Sequence, residues 1–288
     1  MTWIIGTPTM FGYSFGISDV RVKLGNREID CLQKIHPVGR FIAAGFAGAV
    51  RIGFEMVDEL RQLLYSEDER LACDPLLVAR EWPQYSRQVF AKFPRNVRGY
   101  GCHLMLFSTH PEEHTGNPLW ARSYVHVFRS PDFQADMIPV HTLGSIGCGN
   151  NYEPCRAAVK EFSSDFKRRA LFEQGEMGMQ GGMATILGFN LTQLLMRTQP
   201  GGISSHLHYC WVYRGQIIIK TNDHIQKGRW SILEHGSGVN REQNGPDTSA
   251  SKRAALTDGA TAFEMPHLAA TWEEFRAATG AKAEGCVA

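Results

Sequence analysis

The chain has 288 residues, 43% of them apolar, and a formal charge of +1 at neutral pH. The nearly neutral charge gives no basis for binding nucleic acid or an anionic membrane, and no apolar run reaches the roughly 18 residues of a membrane span. There is no basic segment followed by an apolar signal core, and the seven cysteines contain no Cys-x-x-Cys pair. These features predict a cytoplasmic protein with reduced thiols.

The first fifty residues alternate in the manner of β-strands. A strand is predicted over 2–6, a turn over 7–12, a return strand over 13–22, a polar loop or hairpin tip over 23–30, and two short strands within 32–44. From Gly48, apolar residues recur at helical spacing, which predicts a helix ending near Tyr65. Asp74-Pro75 is typical of a helix start, and a second helix is predicted over 75–93.

The second half of the chain predicts further strands and helices in alternating runs. The strands cover 101–108, 120–129, 135–147, 203–213 and 216–221, and the helices cover 154–172 and 183–197. This order favours an α+β fold, in which two antiparallel sheets lie face to face with helices on their outer sides. The composition changes near residue 235. We therefore expect a domain over 1–234 and a C-terminal extension over 235–288, partly disordered, with a short helix over 267–278.

Three polar residues near the N-terminus have the chemistry of an amidase. If Met1 is removed, Thr2 carries a free α-amine with a pKa of roughly 7.7–8.0, which suits a general base for its own hydroxyl. A lysine cation beside it would favour the neutral amine and the alkoxide. Lys34 is the candidate for this cation, and the carboxylate of Asp19 is the candidate that would hold Lys34 in place. The N–H of Gly48, at a glycine turn before a helix, would bind the oxyanion.

These residues occur in motifs that resemble a known family. The motifs are Thr2, Asp19-Val20-Arg21, Lys34-Ile35, Ala44-Gly45-Phe46-Ala47-Gly48 and, further on, Ile146-Gly147-Cys148-Gly149. In this order they resemble proteasome β-type subunits and the bacterial HslV peptidase, which belong to the N-terminal nucleophile (Ntn) hydrolases. Asp19 and Lys34 follow Thr2 by 17 and 32 positions, within one residue of the spacing in that family.

The resemblance implies a four-layer αββα sandwich and a threonine-type endopeptidase that needs no metal or organic cofactor. Arg21 would be a supporting structural residue, and Val50 would line the substrate pocket. The family serine that supports the N-terminal amine is replaced by Cys148, unless Ser145 is its equivalent. The family's later Asp-x-x-Ser-Gly-Gly motif is represented only by Gly201-Gly202.

The implied partners are further copies of the chain in a ring or helical homo-oligomer, and a peptide or unfolded-protein substrate. An ATP-dependent unfoldase is left open as another partner. Two alternatives also stay open. The bulky Trp3, Cys148 and the incomplete late motif favour an inactive structural subunit, whereas a small-molecule amidohydrolase would use the same residues.

Two further patterns resemble ligand-binding motifs but lack a feature that each motif requires. His110-Pro-Glu-Glu-His114 has the spacing of one zinc peptidase group, but Pro111 opposes the helix that the motif requires, so a polar surface loop is expected. Gly144 to Gly149 lacks the Gly-Lys-Ser/Thr ending of a phosphate loop. The sequence therefore predicts no metal site and no nucleotide site.

Overall fold

The computed structural model describes residues 2–9, 12–65, 74–110, 122–140, 142–172, 191–213, 216–221, 266–281 and 286–287. In chain order the strands are β1 (Trp3–Pro8), β2 (Tyr13–Asp19), β3 (Arg21–Leu24), β4 (Arg27–Asp30), β5 (Ile35–Pro37), β6 (Ile42–Gly48), β7 (Cys102–Thr109), β8 (Ser123–Arg129), β9 (Ala135–Met137), β10 (Gly144–Gly147), β11 (Leu207–Tyr213), β12 (Gln216–Thr221) and β13 (Cys286–Val287). The helices are α1 (Val50–Leu64), α2 (Pro75–Ala91), α3 (Arg95–Arg98), α4 (Glu153–Phe172), α5 (191–198) and α6 (Trp272–Thr279), and Cys148–Asn151 is a 3₁₀ turn.

The described strands form three antiparallel sheets, so the α+β class is confirmed. The first sheet has the order β10-β1-β2-β11-β12, and the second sheet has the order β5-β6-β7-β8-β9. A small third sheet has the strand order β13-β3-β4. In the first sheet β2 is central, with Ser18 opposite Ile4 on β1 and opposite His208 on β11.

The first and second sheets face each other across an apolar layer. Ile4, Ile146, Cys210 and Val212 from the first sheet belong to one buried cluster with Ala43, Ala47, Met105, Phe107 and Val127 from the second. Small residues let the sheets approach closely. A side chain at Gly6 or Gly16 would overlap the ring of Phe107, with contacts of 2.3 and 2.5 Å.

Helices share buried clusters with both five-stranded sheets. The apolar stripe of α1, which includes Phe54, Val57 and Leu60, is buried with Phe46 and Leu104 of the second sheet, as expected for an amphipathic helix. α2 begins at Pro75, and its N-cap Asp74 accepts hydrogen bonds from the N–H groups of residues 76 and 77. On the first sheet, Cys155 of α4 and Leu191 and Leu195 of α5 join the cluster of Trp3, Ile5 and Tyr209.

Several predicted boundaries are corrected. The strand predicted over 13–22 breaks at Val20, whose carbonyl accepts from the N–H groups of Cys31 (3.2 Å) and Leu32 (3.1 Å). β2 therefore stays in the first sheet while β3 pairs with β4, so the 23–30 segment is a hairpin. The strand predicted over 135–147 is two strands, β9 in the second sheet and β10 in the first. The short α3 was not predicted.

The described part of the C-terminal extension packs on the rest of the chain. Phe275 of α6 is fully buried in the cluster around α1 and α2. The N–H of Ala269 donates to Cys31 O at 2.8 Å, and Val287 of β13 pairs with Lys23. Residues 235–265 of the predicted C-terminal extension and most of the predicted 183–197 helix lie outside the described residues. Among the described helices, none has the length and apolar character needed to cross a bilayer.

Candidate active site

A fully buried ion pair lies at the ends of β2 and β5. Lys34 Nζ is 3.0 Å from Asp19 Oδ1, and both side chains have 0% exposure. Lys34 Nζ also donates to the carbonyl oxygen of Arg21 at 2.6 Å. Burial lowers the pKa of Lys34, and the charge of Asp19 partly offsets this effect. The two residues that the sequence predicts as partners are therefore brought together.

Backbone groups hold the Asp19 carboxylate in place. Oδ1 accepts from Trp3 N at 2.7 Å as well as from Lys34. Oδ2 accepts from Arg21 N at 3.0 Å and from Ser204 N at 3.3 Å. A buried carboxylate is stable only when it is paired and hydrogen-bonded, and here three different segments of chain supply backbone donors in addition to the Lys34 side chain.

Thr2 lies directly beside this pair, since the next residue, Trp3, donates to Asp19. Thr2 is 1% exposed, and its hydroxyl makes no hydrogen bond within the described part of the chain. Its carbonyl oxygen accepts from Cys148 N at 2.7 Å and from the Cys148 thiol at 3.3 Å. A buried hydroxyl without a partner is rare in proteins, so the Thr2 hydroxyl is available for another group.

Cys148 is thus the residue of the 146–149 motif that contacts Thr2. Burial raises the pKa of its thiol, the charge of Asp19 adds to this effect, and Lys34 opposes it. The thiol is therefore a donor to Thr2 O and not a thiolate nucleophile.

Ser145 bonds Trp3, the residue after Thr2. Its hydroxyl accepts from the indole Nε1 of Trp3 at 3.0 Å, on the face of the first sheet that α4 covers. A methyl group at Gly149 would lie 2.2 Å from the same indole ring. Gly149 and Ser145 together explain how a bulky residue fits directly after Thr2, which the sequence left as a departure from the family.

Two glycines bring the second sheet next to Thr2. Gly147 has a φ of +91°, and a methyl group there would meet Thr2 O at 2.0 Å and the methyl of Ala47 at 3.5 Å. Gly48, directly after Ala47, has a φ of +113° and would place a methyl group 2.4 Å from Gly101 O. Only glycine fits at both points. The predicted oxyanion donor Gly48 therefore lies in the same region as Thr2, at the end of β6.

Arg21 and Val50 have different outcomes. Arg21 donates its backbone N–H to Asp19 and its carbonyl accepts from Lys34, while its guanidinium binds Asp30 with Nε at 2.7 Å. This geometry fits a supporting residue. Val50 begins α1 and is fully buried in the cluster under that helix. It has no exposed surface here, so its role in a substrate pocket stays a prediction.

Three polar residues around the ion pair were not predicted as site residues. The backbone N–H of Ser204 donates to Asp19. Ser18 on β2 and His208 on β11 lie opposite each other. The Ser18 hydroxyl and the Nδ1 atom of His208 are buried and lack hydrogen-bond partners among the described residues. The alternation of 203–213 puts His208 on one face of a strand, but nothing in the sequence shows that this face lies against Lys34. Burial and the charge of Lys34 lower the pKa of His208 to about 4.

No group of three or more metal-ligating side chains occurs within the described ranges. Residues 111–121, which include most of the His110–His114 segment, lie outside them. No protein-family model matches the chain, and no curated protein matches it. The case for function therefore depends on the geometry of the site.

Proposed function

We propose that the chain is a threonine-type peptidase of the Ntn-hydrolase class, with Thr2 as nucleophile and an αββα sandwich as scaffold. The observation that carries the proposal is the fully buried Lys34–Asp19 pair, 3.0 Å long, beside an unpartnered Thr2 hydroxyl. Buried ion pairs contribute little net stability compared with apolar residues of the same size. A pair placed beside a buried hydroxyl is therefore a candidate for chemistry.

The first step of the proposed mechanism is formation of an acyl-enzyme. Removal of Met1 exposes the Thr2 amine, which takes the hydroxyl proton, directly or through a water. The Thr2 oxygen attacks the substrate carbonyl, and the N–H of Gly48 stabilises the oxyanion. The C–N bond then breaks and the leaving amine takes the proton. Water hydrolyses the resulting ester, which returns the hydroxyl to Thr2.

Lys34 supports this chemistry electrostatically. An ammonium group has three N–H donors, and contacts to Asp19 and the Arg21 carbonyl account for two of them. In the proposed mechanism the third serves Thr2. Because its positive charge penalises a second cation nearby, Lys34 favours the neutral form of the Thr2 amine and stabilises the developing alkoxide.

A covalent probe tests the proposal. The protein is treated with a threonine-directed inhibitor such as a peptide β-lactone, and the modified residue is located by peptide mass spectrometry. We expect loss of Met1 and one adduct on Thr2. Thr2→Ser should still be labelled, whereas Thr2→Ala and Lys34→Met should not. An adduct elsewhere, or none at all on a protein with a free Thr2 amine, contradicts the proposal.

An inactive structural subunit is the second candidate, favoured by the 1% exposure of Thr2 and the complete burial of Val50. Intact-mass measurement separates the two, because retained Met1 would block the amine and favour the inactive subunit. Comparing cleavage of a peptide library with cleavage of simple amides distinguishes the proposed peptidase from a small-molecule amidohydrolase. Self-association into a ring or helical stack is part of the proposal and is tested by light scattering.

A further inference from the structure

A second carboxylate, Asp30 on β4, lies outside the proposed catalytic group and is held by three side chains. It accepts from Arg21 Nε at 2.7 Å and from Ser204 Oγ at 2.5 Å, and His206 Nδ1 lies 3.0 Å from it. Burial alone would raise the pKa of Asp30, but hydrogen bonds from His206, Arg21 and Ser204 hold it well below its ordinary value. Asp30 is therefore the fixed anionic centre of this cluster.

Ser204 joins this cluster to the proposed active site. Its hydroxyl donates to Asp30, while its backbone N–H donates to Asp19 Oδ2 at 3.3 Å. Ser204 is fully buried. Its hydroxyl also accepts from the N–H of His206 at 3.0 Å, and the N–H of Gly202 donates to Glu28 at 3.1 Å. The β3–β4 hairpin thus holds the 202–206 segment at both ends.

We propose that Asp30 and Ser204 are positioning residues, which fix the 202–206 segment so that the Ser204 N–H donates to Asp19 and limits the negative charge that Lys34 experiences. The inference rests on the proposed function only in assigning a catalytic purpose to Lys34. The positioning itself concerns the ion pair and can be measured without any reaction.

The physical effect has a definite sign. If the Ser204 N–H moves away, Asp19 Oδ2 loses one of its two donors, and the carboxylate attracts the Lys34 proton more strongly. The pKa of Lys34 then rises. The Thr2 amine should follow in the same direction, because both cations are stabilised by the same carboxylate. The groups that face Lys34 are Asp19 on β2, Arg21 and Asp30 on the hairpin, Cys148 on the 3₁₀ turn and His208 on β11.

Ser204→Ala is the main test, since it removes the bond to Asp30 without changing any charge. The titration of Lys34 is followed by NMR of Cε in lysine-labelled protein, with Lys34→Met to assign the signal. We expect its midpoint to rise by about half to one pH unit, and the acid side of the pH profile for β-lactone labelling of Thr2 to move with it. Ser204→Thr keeps the hydroxyl and should restore both values.

Asp30→Asn separates positioning from charge. Loss of the Asp30 charge through space alone would lower the pKa of Lys34, whereas release of the 202–206 segment would raise it. We expect the midpoint to rise, as in Ser204→Ala. A lower midpoint in Asp30→Asn, or an unchanged one in Ser204→Ala, overturns the inference. If Ser204→Ala does not fold, Ser204→Cys, a weaker donor, takes its place.

Ser108→Ala is the matched control, because Ser108 is also buried and its hydroxyl bonds a backbone carbonyl in the second sheet. It should leave the Lys34 midpoint unchanged, and a shift there would mean that any buried serine moves it.

The two proposals can fail independently of each other. A midpoint that shifts without Thr2 labelling in any variant keeps the positioning and removes the peptidase. Labelling of Thr2 with an unchanged Lys34 midpoint would support the peptidase and rule out the positioning role of Asp30 and Ser204.

Discussion

Two ion pairs in this molecule have the same length and opposite surroundings. Lys34 Nζ and Asp19 Oδ1 are 3.0 Å apart with both side chains at 0% exposure, and Arg129 Nη1 and Asp136 Oδ2 are 3.0 Å apart with side chains 49% and 60% exposed. Water screens the second pair, and most such pairs contribute about 0–1 kcal/mol. Neither side chain of the first pair is exposed to solvent. This pair is maintained by the backbone donors around Asp19 and the carbonyl that accepts from Lys34.

The comparison shows that a short distance alone says little about what an ion pair does. A buried charge costs several kcal/mol to desolvate, so every group that compensates it becomes part of the site. For Asp19 these groups come from β1, from the turn after β2 and from the 202–206 segment. Asp136 lies on an exposed edge strand and depends on no such arrangement.

The largest effect should come from breaking the buried pair on one side only. Lys34→Ala leaves the Asp19 charge without its partner, which should lower the free energy of unfolding by about 3–5 kcal/mol. The measurement is urea unfolding followed by circular dichroism. The double variant Lys34→Met with Asp19→Asn removes both charges and should recover much of this loss. A double variant as unstable as Lys34→Ala would show that desolvated charge is not the cause.

The sequence could predict this pair from the chemistry that an N-terminal threonine needs and from the resemblance to a family, but not from local strand or helix patterns. Strand alternation and the amphipathic stripe from Val50 to Leu64 are local patterns, and they predicted most of β1, all of β2 and α1. The break at Val20 is not local, because it depends on Cys31 and Leu32 bonding to the Val20 carbonyl. Ser204 is 185 positions from Asp19, and only the pairing of β11 with β2 brings them together.

The next effect concerns the pH dependence of stability, which two buried histidines determine. Burial lowers the pKa of His36 to about 3, and burial with the charge of Lys34 lowers that of His208 to about 4. The unfolded chain takes up protons below about 6.5, while the folded protein keeps both rings neutral. The contribution of the two neutral rings to stability is therefore fully present above pH 6.5. It is lost as the pH falls to about 4 for His208 and to about 3 for His36, and at pH 4 each ring has cost about 3 kcal/mol.

His208→Gln checks this assignment. It removes the titration but keeps a polar side chain, so the loss of stability between pH 6.5 and 4 should be about 3 kcal/mol smaller than in the parent protein. Thermal or urea unfolding at several pH values measures the difference. Equal pH dependence in the two proteins would show that the unfolded and folded states protonate His208 alike.

A smaller effect compares a glycine beside Thr2 with one in an open turn. Gly147→Ala places a methyl group 2.0 Å from Thr2 O at a φ of +91°, whereas Gly25→Ala, at a φ of +59°, meets nothing within 4 Å. Backbone strain should cost Gly25→Ala about 1 kcal/mol. Gly147→Ala should cost about 1–3 kcal/mol from strain and should also abolish labelling of Thr2, because Thr2 must move. Equal stability and equal labelling of the two variants would place Gly147 away from the site.

The smallest effect belongs to the exposed pair, and it decides whether the comparison is valid. A double-mutant cycle with Arg129→Ala and Asp136→Ala should give a coupling energy of about 0.2–1 kcal/mol in low salt. The coupling should fall further in 1 M salt, where charges are screened within about 3 Å. The matching cycle at Lys34 and Asp19 should hardly respond to salt, since no ions reach the pair. If the Arg129–Asp136 coupling were as large and as insensitive to salt as that of the buried pair, burial would not be what distinguishes them, and the special status of Lys34 would have to come from its neighbours alone.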